Sequence, residues 1–394
     1  MDGSQGLAGW GAALLSLTYE PDPTPSILAF PMRTSRLPPR TEAPSRQSRR
    51  GHGRVTLRDV AQEAGVTSIT VSRYLREPSI VAAETAERIR QALAATGYVP
   101  NKQAGLLASG VSNIVAALLP NLANSIFAET AQGLSAGLQA AGYELLIAST
   151  GYSLEREEHQ LRALLGWHPA AVVVTGRRHA AGAVALLEAA RAAGTPVVEI
   201  WDHRRPEPGA RRTPGFTQVG FDHAQVGRAM AQHLLDAGHR DVAYVDSGVV
   251  EDYRAHERGQ AFIEHARAAG ARARLLVAPE GDAFDGGRHC LDRLLDLRSG
   301  RVTAAAFAND NLACGALLEA NRRQVAIPGR LALLGFGDFA ISRQLTPSLS
   351  SVQLPRHDIG AETARALIEA LRQGRPAQSA ALTWTVVGRG STGS

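Results

Sequence analysis

The sequence predicts a two-part protein, in which a small all-α unit precedes a large α/β unit built on doubly wound parallel sheets. Three observations lead to this fold class. The chain has 394 residues, which exceeds one ordinary domain. Residues 55–100 show only helical periodicity. Beyond residue 110, short β-branched runs alternate with alanine-rich helical stretches, which is typical of parallel sheets covered by helices on both faces.

Composition and cysteine usage limit the class of protein. Hydrophobic residues make up 44% of the chain but aromatic residues only 5%, so Ala, Val and Leu must fill the cores. No apolar run is long enough to cross a bilayer, and Asp2 rather than a basic segment precedes the mildly apolar residues 7–17. Cys290 and Cys314 have neither disulfide-framework nor metal-ligand spacing. We therefore expect a cytoplasmic protein with no membrane partner, metal or cofactor.

The positive charge is concentrated near the amino terminus. Residues 1–109 hold 13 of the 42 Lys and Arg residues but only nine of the 37 acidic residues, a net charge of +4. The rest of the chain carries +1. This asymmetry favours a polyanionic partner for the amino-terminal part.

Residues 1–54 combine clustered prolines with several arginines and show no helical or strand period. This composition predicts a disordered extension. Two interpretations stay open: a basic arm that adds weak phosphate contacts, or an extension produced by too early a start codon.

Residues 55–100 predict a helix-turn-helix domain. Thr56 is a helix N-cap candidate, and Gly65 stands where the chain must reverse before a second helix capped by Thr67. Pro78 closes that helix, and a third helix runs over residues 85–95. The second helix presents polar residues and one isoleucine outward, where they can contact base edges in the major groove. The residues expected to contact DNA here are Thr56, Thr67, Ser68, Ile69, Thr70, Ser72 and Arg73.

A family resemblance rests on three strings in this region: Leu57-Arg-Asp-Val-Ala61, Ala64-Gly-Val-Thr67 and Thr70-Val-Ser-Arg73. Together with Gly97-Tyr-Val-Pro-Asn101, they resemble the head of the lactose/galactose repressor (LacI/GalR) family. The resemblance extends to the end of the chain and omits only residues 1–54. It implies a sequence-specific DNA-binding transcription regulator.

The resemblance also implies a hinge helix within a linker that spans residues 101–112. In the family this helix orders on operator DNA and inserts a leucine into the minor groove, where it bends the duplex. The matching leucine is Leu107, and Gly105 fits a helix that is unstable by itself. The hinge residues expected to contact DNA are Asn101, Lys102, Ala104 and Leu107.

Residues 113–394 predict the second part, a two-lobed body. Strands are predicted over residues 113–119, 144–148, 171–175, 196–200, 242–245, 304–308 and 331–336. The body resembles the periplasmic-binding-protein-like core of the same family, which binds effectors and dimerises. Two segments, Thr175-Gly-Arg-Arg-His179 and Val197-Val-Glu-Ile-Trp-Asp202, are similar to the gluconate-operon repressor branch. In such folds, ligands bind at the carboxyl ends of the strands.

Two departures from the family pattern bear on the effector. His256 replaces an arginine that many members place three residues before Gly259, and Gly337 replaces an aspartate, with Asp338 next. A carboxylate ligand would favour cationic groups such as Arg177. The effector-binding residues expected are Asn124, Phe127, Thr175, Arg177, Glu199, Asp202, His256, Asn309 and Asp338.

The leading hypothesis is a homodimeric repressor that a sugar acid, such as gluconate or 6-phosphogluconate, releases from a palindromic operator. A regulator that responds to a neutral sugar is one alternative. A solute-binding protein is another, although the helix-turn-helix argues against it. An enzyme is not expected, since the sequence shows no nucleophile elbow, Walker motif or dinucleotide fingerprint.

Overall fold

The computed structural model describes residues 55–99, 112–122, 125–204, 215–296 and 301–393. The chain divides into a small unit that ends at Pro100 and a large unit that begins at Asn101. The predicted extension over residues 1–54 and the predicted hinge helix lie outside the described residues.

Within residues 55–99, the small unit is helical, as predicted. A capping box starts the first helix: the backbone N–H of Asp59 donates to the Thr56 hydroxyl, and the Asp59 carboxylate accepts the Thr56 N–H at 2.8 Å. The third helix begins two residues earlier than predicted, because Ala83 and Glu84 are both good helix formers. The helices are α1 Leu57–Ala64, α2 Ser68–Arg76 and α3 Ala83–Thr96, with a short 3-10 helix at Pro78–Ile80.

Gly65 reverses the chain between α1 and α2. Its φ of 63° lies in the left-handed region, which a side chain at this position would strain. Arg88 of α3 donates to the carbonyls of Ala64 and Gly65, the latter at 3.0 Å, and so satisfies the carboxyl end of α1. The core of this unit is formed by Val60, Ala61, Ala64, Val71, Ile89 and Ala92.

Two six-stranded sheets organise the large unit, each at the centre of one lobe. The strand order is β11-β5-β4-β3-β1-β2 in lobe 1 and β12-β10-β9-β8-β6-β7 in lobe 2. All described strand pairings are parallel except that of β10 with β12. The strands are β1 Ile114–Leu119, β2 Glu144–Ser149, β3 Ala171–Thr175, β4 Val197–Ile200, β5 Thr217–Gly220, β6 Asp241–Asp246, β7 Arg272–Val277, β8 Ala304–Phe307, β9 Ala332–Gly337, β10 Ser350–Gln353, β11 Ala380–Ala381 and β12 Thr385–Val387.

Helices cover both faces of each sheet. In lobe 1, α4 packs against α11 on one face and α5 packs against α6 on the other; in lobe 2 the pairs are α7 with α8 and α9 with α10. The helices are α4 Ser125–Ala140, α5 Leu154–Leu165, α6 Ala181–Ala192, α7 His223–Asp236, α8 Tyr253–Ala268, α9 Ala283–Leu295, α10 Asp310–Arg322 and α11 Arg356–Gln373. None of the helices in the described part of the chain is long and apolar enough to cross a membrane.

The chain passes between the lobes three times. It leaves lobe 1 after β5 to form α7, returns after β10 to form α11, and leaves again between β11 and β12. These crossings bring the carboxyl ends of both sets of parallel strands to a common cleft between the lobes.

The sequence predicted seven of the described strands and missed β5, β7, β10, β11 and β12. Each of the seven predicted strands is present, with ends within one residue of the prediction. β6, β8 and β9 are buried along their full length, which explains their continuous apolar sequence. The edge strand β7 was not predicted, because arginines alternate with apolar residues where one face meets solvent.

Candidate operator interface and effector cleft

The outward face of α2 carries the residues predicted to read DNA. Thr67 caps the helix, and its hydroxyl lies 2.9 Å from that of Thr70. The Ile69 side chain is 67% exposed, although isoleucine is normally buried. On the opposite face, Val71 is fully buried in the core of the small unit. The packing therefore leaves the polar face and one apolar side chain free for a partner.

The carboxyl-terminal half of α2 contributes further polar groups. Arg73 is exposed, and Ser72 accepts a hydrogen bond from Arg76 at 3.4 Å. Thr56 is engaged in its capping box with Asp59, so its contact with DNA stays a prediction. The predicted hinge contacts Asn101, Lys102, Ala104 and Leu107 lie outside the described residues.

Arg177 lies at the centre of a polar contact between the lobes. Its guanidinium donates two hydrogen bonds to Glu257 of α8, at 2.7 and 2.9 Å, and lies 3.7 Å from Asp202. The backbone N–H of Arg177 donates to the Tyr253 hydroxyl at 2.6 Å, and this hydroxyl donates to the Asp202 carboxylate. We call Arg177, Asp202, Tyr253 and Glu257 the interlobe latch, because they join the ends of β3 and β4 to α8.

Burial and neighbouring charges set the pKa values of Asp202 and Tyr253 in the latch. Burial raises the pKa of Asp202 to about 6, although the guanidinium of Arg254 opposes the rise. Burial also raises the pKa of Tyr253, so the phenol remains a donor. The charge of Asp202 therefore depends on the guanidinium groups and the phenol that surround it.

Arg254 extends from α8 towards lobe 1 and is 6% exposed. It lies against Gly176 so closely that a Cβ there would collide with its guanidinium and would lie 2.7 Å from the Tyr253 hydroxyl. Gly176 also has a φ of 87°, which favours glycine. Because Gly176 has no side chain, the end of β3 in lobe 1 can pack closely against Arg254 of α8 in lobe 2.

Arg258 is a buried guanidinium without a carboxylate partner among the described residues. It is 4% exposed, donates to the Ala308 carbonyl at 2.9 Å and to His223 Nδ1 at 3.0 Å, and stacks 3.7 Å above the ring of Phe336. Burial and the charge of Arg258 hold the pKa of His223 well below its usual value. The neutral imidazole therefore accepts from Arg258 and donates through Nε2 to the Trp201 carbonyl at 2.7 Å.

Aromatic rings form the floor of the cleft. Phe127 meets Trp201 edge-to-face at 5.4 Å, and Trp201 meets Phe221 at 5.9 Å.

Trp201 Nε1, Arg258 Nε and Asp246 Oδ2 are buried and have no hydrogen-bond partner among the described residues. Buried polar atoms are rarely left unsatisfied, so three such atoms at one cleft favour a polar ligand there.

Two residues predicted in lobe 1 have local partners. The Thr175 hydroxyl donates to the Leu118 carbonyl at 2.9 Å. Glu199 accepts a hydrogen bond from Gln218 at 2.8 Å and lies 3.4 Å from His179. His179 also bonds to Glu157 of α5 at 2.7 Å, so Glu199 faces the α5–α6 side of the sheet rather than the latch.

Of the three described residues predicted in lobe 2, Asn309 and Asp338 lie just beyond β8 and β9, whereas His256 lies on α8. His256 lies 3.3 Å from Asp246 and is 44% exposed, while Asn309 caps α10 by accepting the Leu312 N–H at 3.0 Å. Asp338 is buried and pairs with Arg389 at 2.7 Å. His256 and Asn309 remain near the cleft, whereas Asp338 pairs with the segment that follows β12. The predicted Asn124 lies outside the described residues.

Sequence reasoning missed Tyr253, Arg254, Glu257 and Arg258. A usable signal was present, because Arg254 and Arg258 are four residues apart and share a face of the helix that follows β6. The carboxyl end of a parallel strand is where ligands bind, so an i, i+4 arginine pair there pointed to the cleft.

Among the described residues, no group of His, Cys, Asp or Glu side chains is arranged to hold a metal ion.

Comparison with known proteins identifies the family. Residues 56–101 match the model of bacterial regulatory proteins of the lacI family, and residues 231–392 match the periplasmic binding protein-like domain. A transcriptional regulator named GntR from Pseudomonas aeruginosa is 38% identical over 84% of this chain and 93% of its own length. The chain belongs to the lacI family.

Other relatives agree with this assignment. The regulator IdnR of Escherichia coli is 32% identical over 81% of this chain and 92% of its own length. A lacI-family regulator from Silicibacter pomeroyi has a solved structure with a TM-score of 0.77, 32% identity, and coverage of 86% of this chain and 99% of the other. The solved GntR from Chromobacterium violaceum gives a TM-score of 0.63 at 32% identity, covering 71% and 99%.

The family establishes the general function. This chain is a DNA-binding transcription regulator, with a helix-turn-helix unit joined to a two-lobed effector-binding body, and its relatives are regulators rather than enzymes. The predicted fold class and the family resemblance are therefore confirmed.

Proposed function

We propose that this regulator is a homodimeric repressor whose operator affinity falls when a small sugar acid, of the gluconate type, binds in the cleft. Its place of action is the nucleoid, in the cytoplasm, and its target is a palindromic operator read by α2 and the hinge residues. The observation that carries the choice of ligand is Arg258, a buried cation with no carboxylate partner among the described residues.

The chemistry of the cleft suits a carboxylate with hydroxyl groups. A buried charge is unfavourable unless it is paired, and a ligand carboxylate would pair with Arg258. Trp201 Nε1 and Asp246 Oδ2 have unused hydrogen-bonding capacity that polyol hydroxyls satisfy. The resemblance to the gluconate-operon repressor branch and the relatives named GntR and IdnR support the same ligand class.

The latch couples ligand binding in the cleft to the affinity for operator DNA. A bound anion changes the electrostatic balance among Arg177, Asp202 and Glu257, which join the lobes. Changing the relative orientation of the lobes in a dimer alters the spacing of the two heads, and operator affinity follows by population shift.

Isothermal titration of the full chain tests the ligand class without relying on a variant. We expect gluconate to bind and sorbitol, which replaces the carboxylate with a hydroxymethyl group, to bind roughly ten- to hundredfold more weakly, because one charge-assisted interaction is lost. Equal binding of the two, or binding of neutral sugars only, would refute the sugar-acid proposal.

A variant then tests Arg258. We expect Arg258→Gln to lose gluconate binding, and Arg267→Gln, an exposed arginine on the same helix, to retain it. Circular dichroism checks that both fold.

Operator duplexes selected from random DNA give the functional readout, since gluconate should weaken binding by the wild type. Analytical ultracentrifugation of the free protein and of its operator complex tests the dimer.

A further inference from the structure

A second charged cavity lies in lobe 2, at the end of the sheet opposite the cleft. Its volume is about 650 Å³. The lining comes from the amino ends of β6 and β7 and from the segments that precede β8 and β9. Its charged lining residues are Arg240, Asp241, Arg272, Arg301 and Arg330.

Hydrogen bonds to the protein hold three of these arginines in place. Arg240 donates to the carbonyls of Leu235 and His239, at 2.8 and 2.9 Å. Arg330 donates to the Val302 carbonyl at 2.8 Å, and Arg272 pairs with Asp241 at 2.9 Å. Each guanidinium has five N–H groups, so donors remain after these contacts. The cations are therefore positioned before any ligand arrives.

The positive charge in this cavity exceeds the negative charge. Asp241 is its acidic lining residue, and it is shared between Arg272 and Arg274, the latter at 3.2 Å. Among the described residues, no carboxylate lies within 4 Å of Arg301 or Arg330. Arg301 and Arg330 line the same cavity as like charges, and burial and the positive charge of Arg301 lower the pKa of Arg330.

We propose that this cavity binds a phosphoryl group, either as inorganic phosphate or on a small phosphorylated metabolite. A phosphate dianion has several strong acceptor oxygens, and arginine is well suited to bind it through paired N–H groups. A dianion between Arg301 and Arg330 replaces their mutual repulsion with attraction. The site is separate from the sugar-acid cleft, because the two lie at opposite ends of the same parallel strands.

Titration of the full chain with inorganic phosphate tests the site, with glucose 6-phosphate as the metabolite probe and sulfate as a general anion. We expect saturable binding of phosphate or glucose 6-phosphate, and tighter binding than sulfate. If glucose 6-phosphate binds more strongly than inorganic phosphate, the site recognises a phosphorylated metabolite. If the two bind equally, the site recognises the phosphoryl group alone. Heat of dilution only, or indifference between sulfate and phosphate, would overturn the proposal.

Arg301→Gln is the informative variant, because this side chain is exposed and its loss leaves the carbonyl contacts of Arg240 and Arg330 intact. We expect it to weaken phosphate binding about tenfold or more. Arg288→Gln is the matched control, an exposed arginine on α9 paired with Asp285. Equal affinity in the two variants would contradict the assignment, and Arg254→Gln in the cleft should leave phosphate binding unchanged.

Discussion

At the scale of single residues, burial and hydrogen bonding decide which charged groups are available to a ligand. Arg177 is paired twice with Glu257, whereas Arg258 meets a carbonyl, a neutral histidine and an aromatic ring. Both are arginines near strand ends, and only their packing distinguishes them. The cation best suited to a ligand carboxylate is therefore Arg258, which forms no salt bridge with any carboxylate of the described residues.

Tyr253→Phe should destabilise the large unit by about 1–3 kcal/mol, because it removes the donor to buried Asp202 and the acceptor for the Arg177 N–H. Urea unfolding followed by tryptophan fluorescence measures the change. Tyr143→Phe is the control, since the Tyr143 hydroxyl makes no hydrogen bond to another described residue. Equal stability of the two variants would show that the latch contributes nothing to folding.

His179 should make stability depend on pH. Burial by itself would lower the pKa of His179, but its hydrogen bond to Glu157 and the nearby carboxylate of Glu199 outweigh the effect of burial and raise the pKa from 6.5 to about 9. A raised pKa means that the stabilisation is complete below about pH 6.5 and is lost as the pH rises through about 9. The maximum contribution is on the order of 3 kcal/mol.

Unfolding of wild type and His179→Gln across this pH range measures the contribution. The stability difference between them should be largest below about pH 6.5 and should shrink towards about pH 9. A difference that stays constant with pH would show that the histidine contributes through packing alone. His159, an exposed histidine on α5, provides the control position.

At the scale of elements, α2 has one face buried in the core of the small unit and one face exposed to solvent. Val71 fixes the helix to the small unit, while Arg73 and Ile69 remain exposed. Residues of this kind contribute to binding without contributing much to folding, so their substitution separates the two properties.

Arg73→Ala should weaken operator binding by about 1–3 kcal/mol and leave the melting temperature unchanged, because the side chain is exposed and can reach a base edge or phosphate. Fluorescence anisotropy at several salt concentrations measures it. Arg90→Ala on α3 is the control, with a side chain that is 66% exposed and paired with Glu87. If both variants bind the operator equally, α2 is not the reading helix.

At the scale of the whole molecule, the latch joins two lobes that otherwise meet through three chain crossings and a packed core. The Arg177–Glu257 pair is partly buried, with side chains 14% and 24% exposed. Solvent therefore screens the pair only in part, so we expect its loss to weaken the contact between the lobes.

Glu257→Gln should increase hydrogen exchange in the segments 175–178 and 253–258 of the free protein, because the lobes separate more often once the charge pair is lost. Exchange followed by mass spectrometry measures the effect. Glu264→Gln, an exposed residue on the same helix, is the control. Unchanged exchange in both segments would mean that the latch does not restrain the lobes.

The sequence by itself determined the helix-turn-helix, seven of the strands and the family, because these depend on local patterns. Thr56, Gly65 and Val71 act through capping, backbone conformation and periodicity, all of which can be read along the chain. The edge strand β7 was missed because one-sided burial disrupts its apolar pattern.

Only the tertiary structure decided which polar residues near the strand ends meet one another. Arg177 and Glu257 are 80 residues apart in sequence, and Asp202 and Tyr253 are 51 apart. Such pairings arise from the crossings between the lobes and leave no local pattern. Glu199 was predicted for the effector site from its place in the chain, but its strand directs it towards His179 and α5. The state of a charged side chain depends on its counter-ions, and only the folded chain brings those counter-ions together.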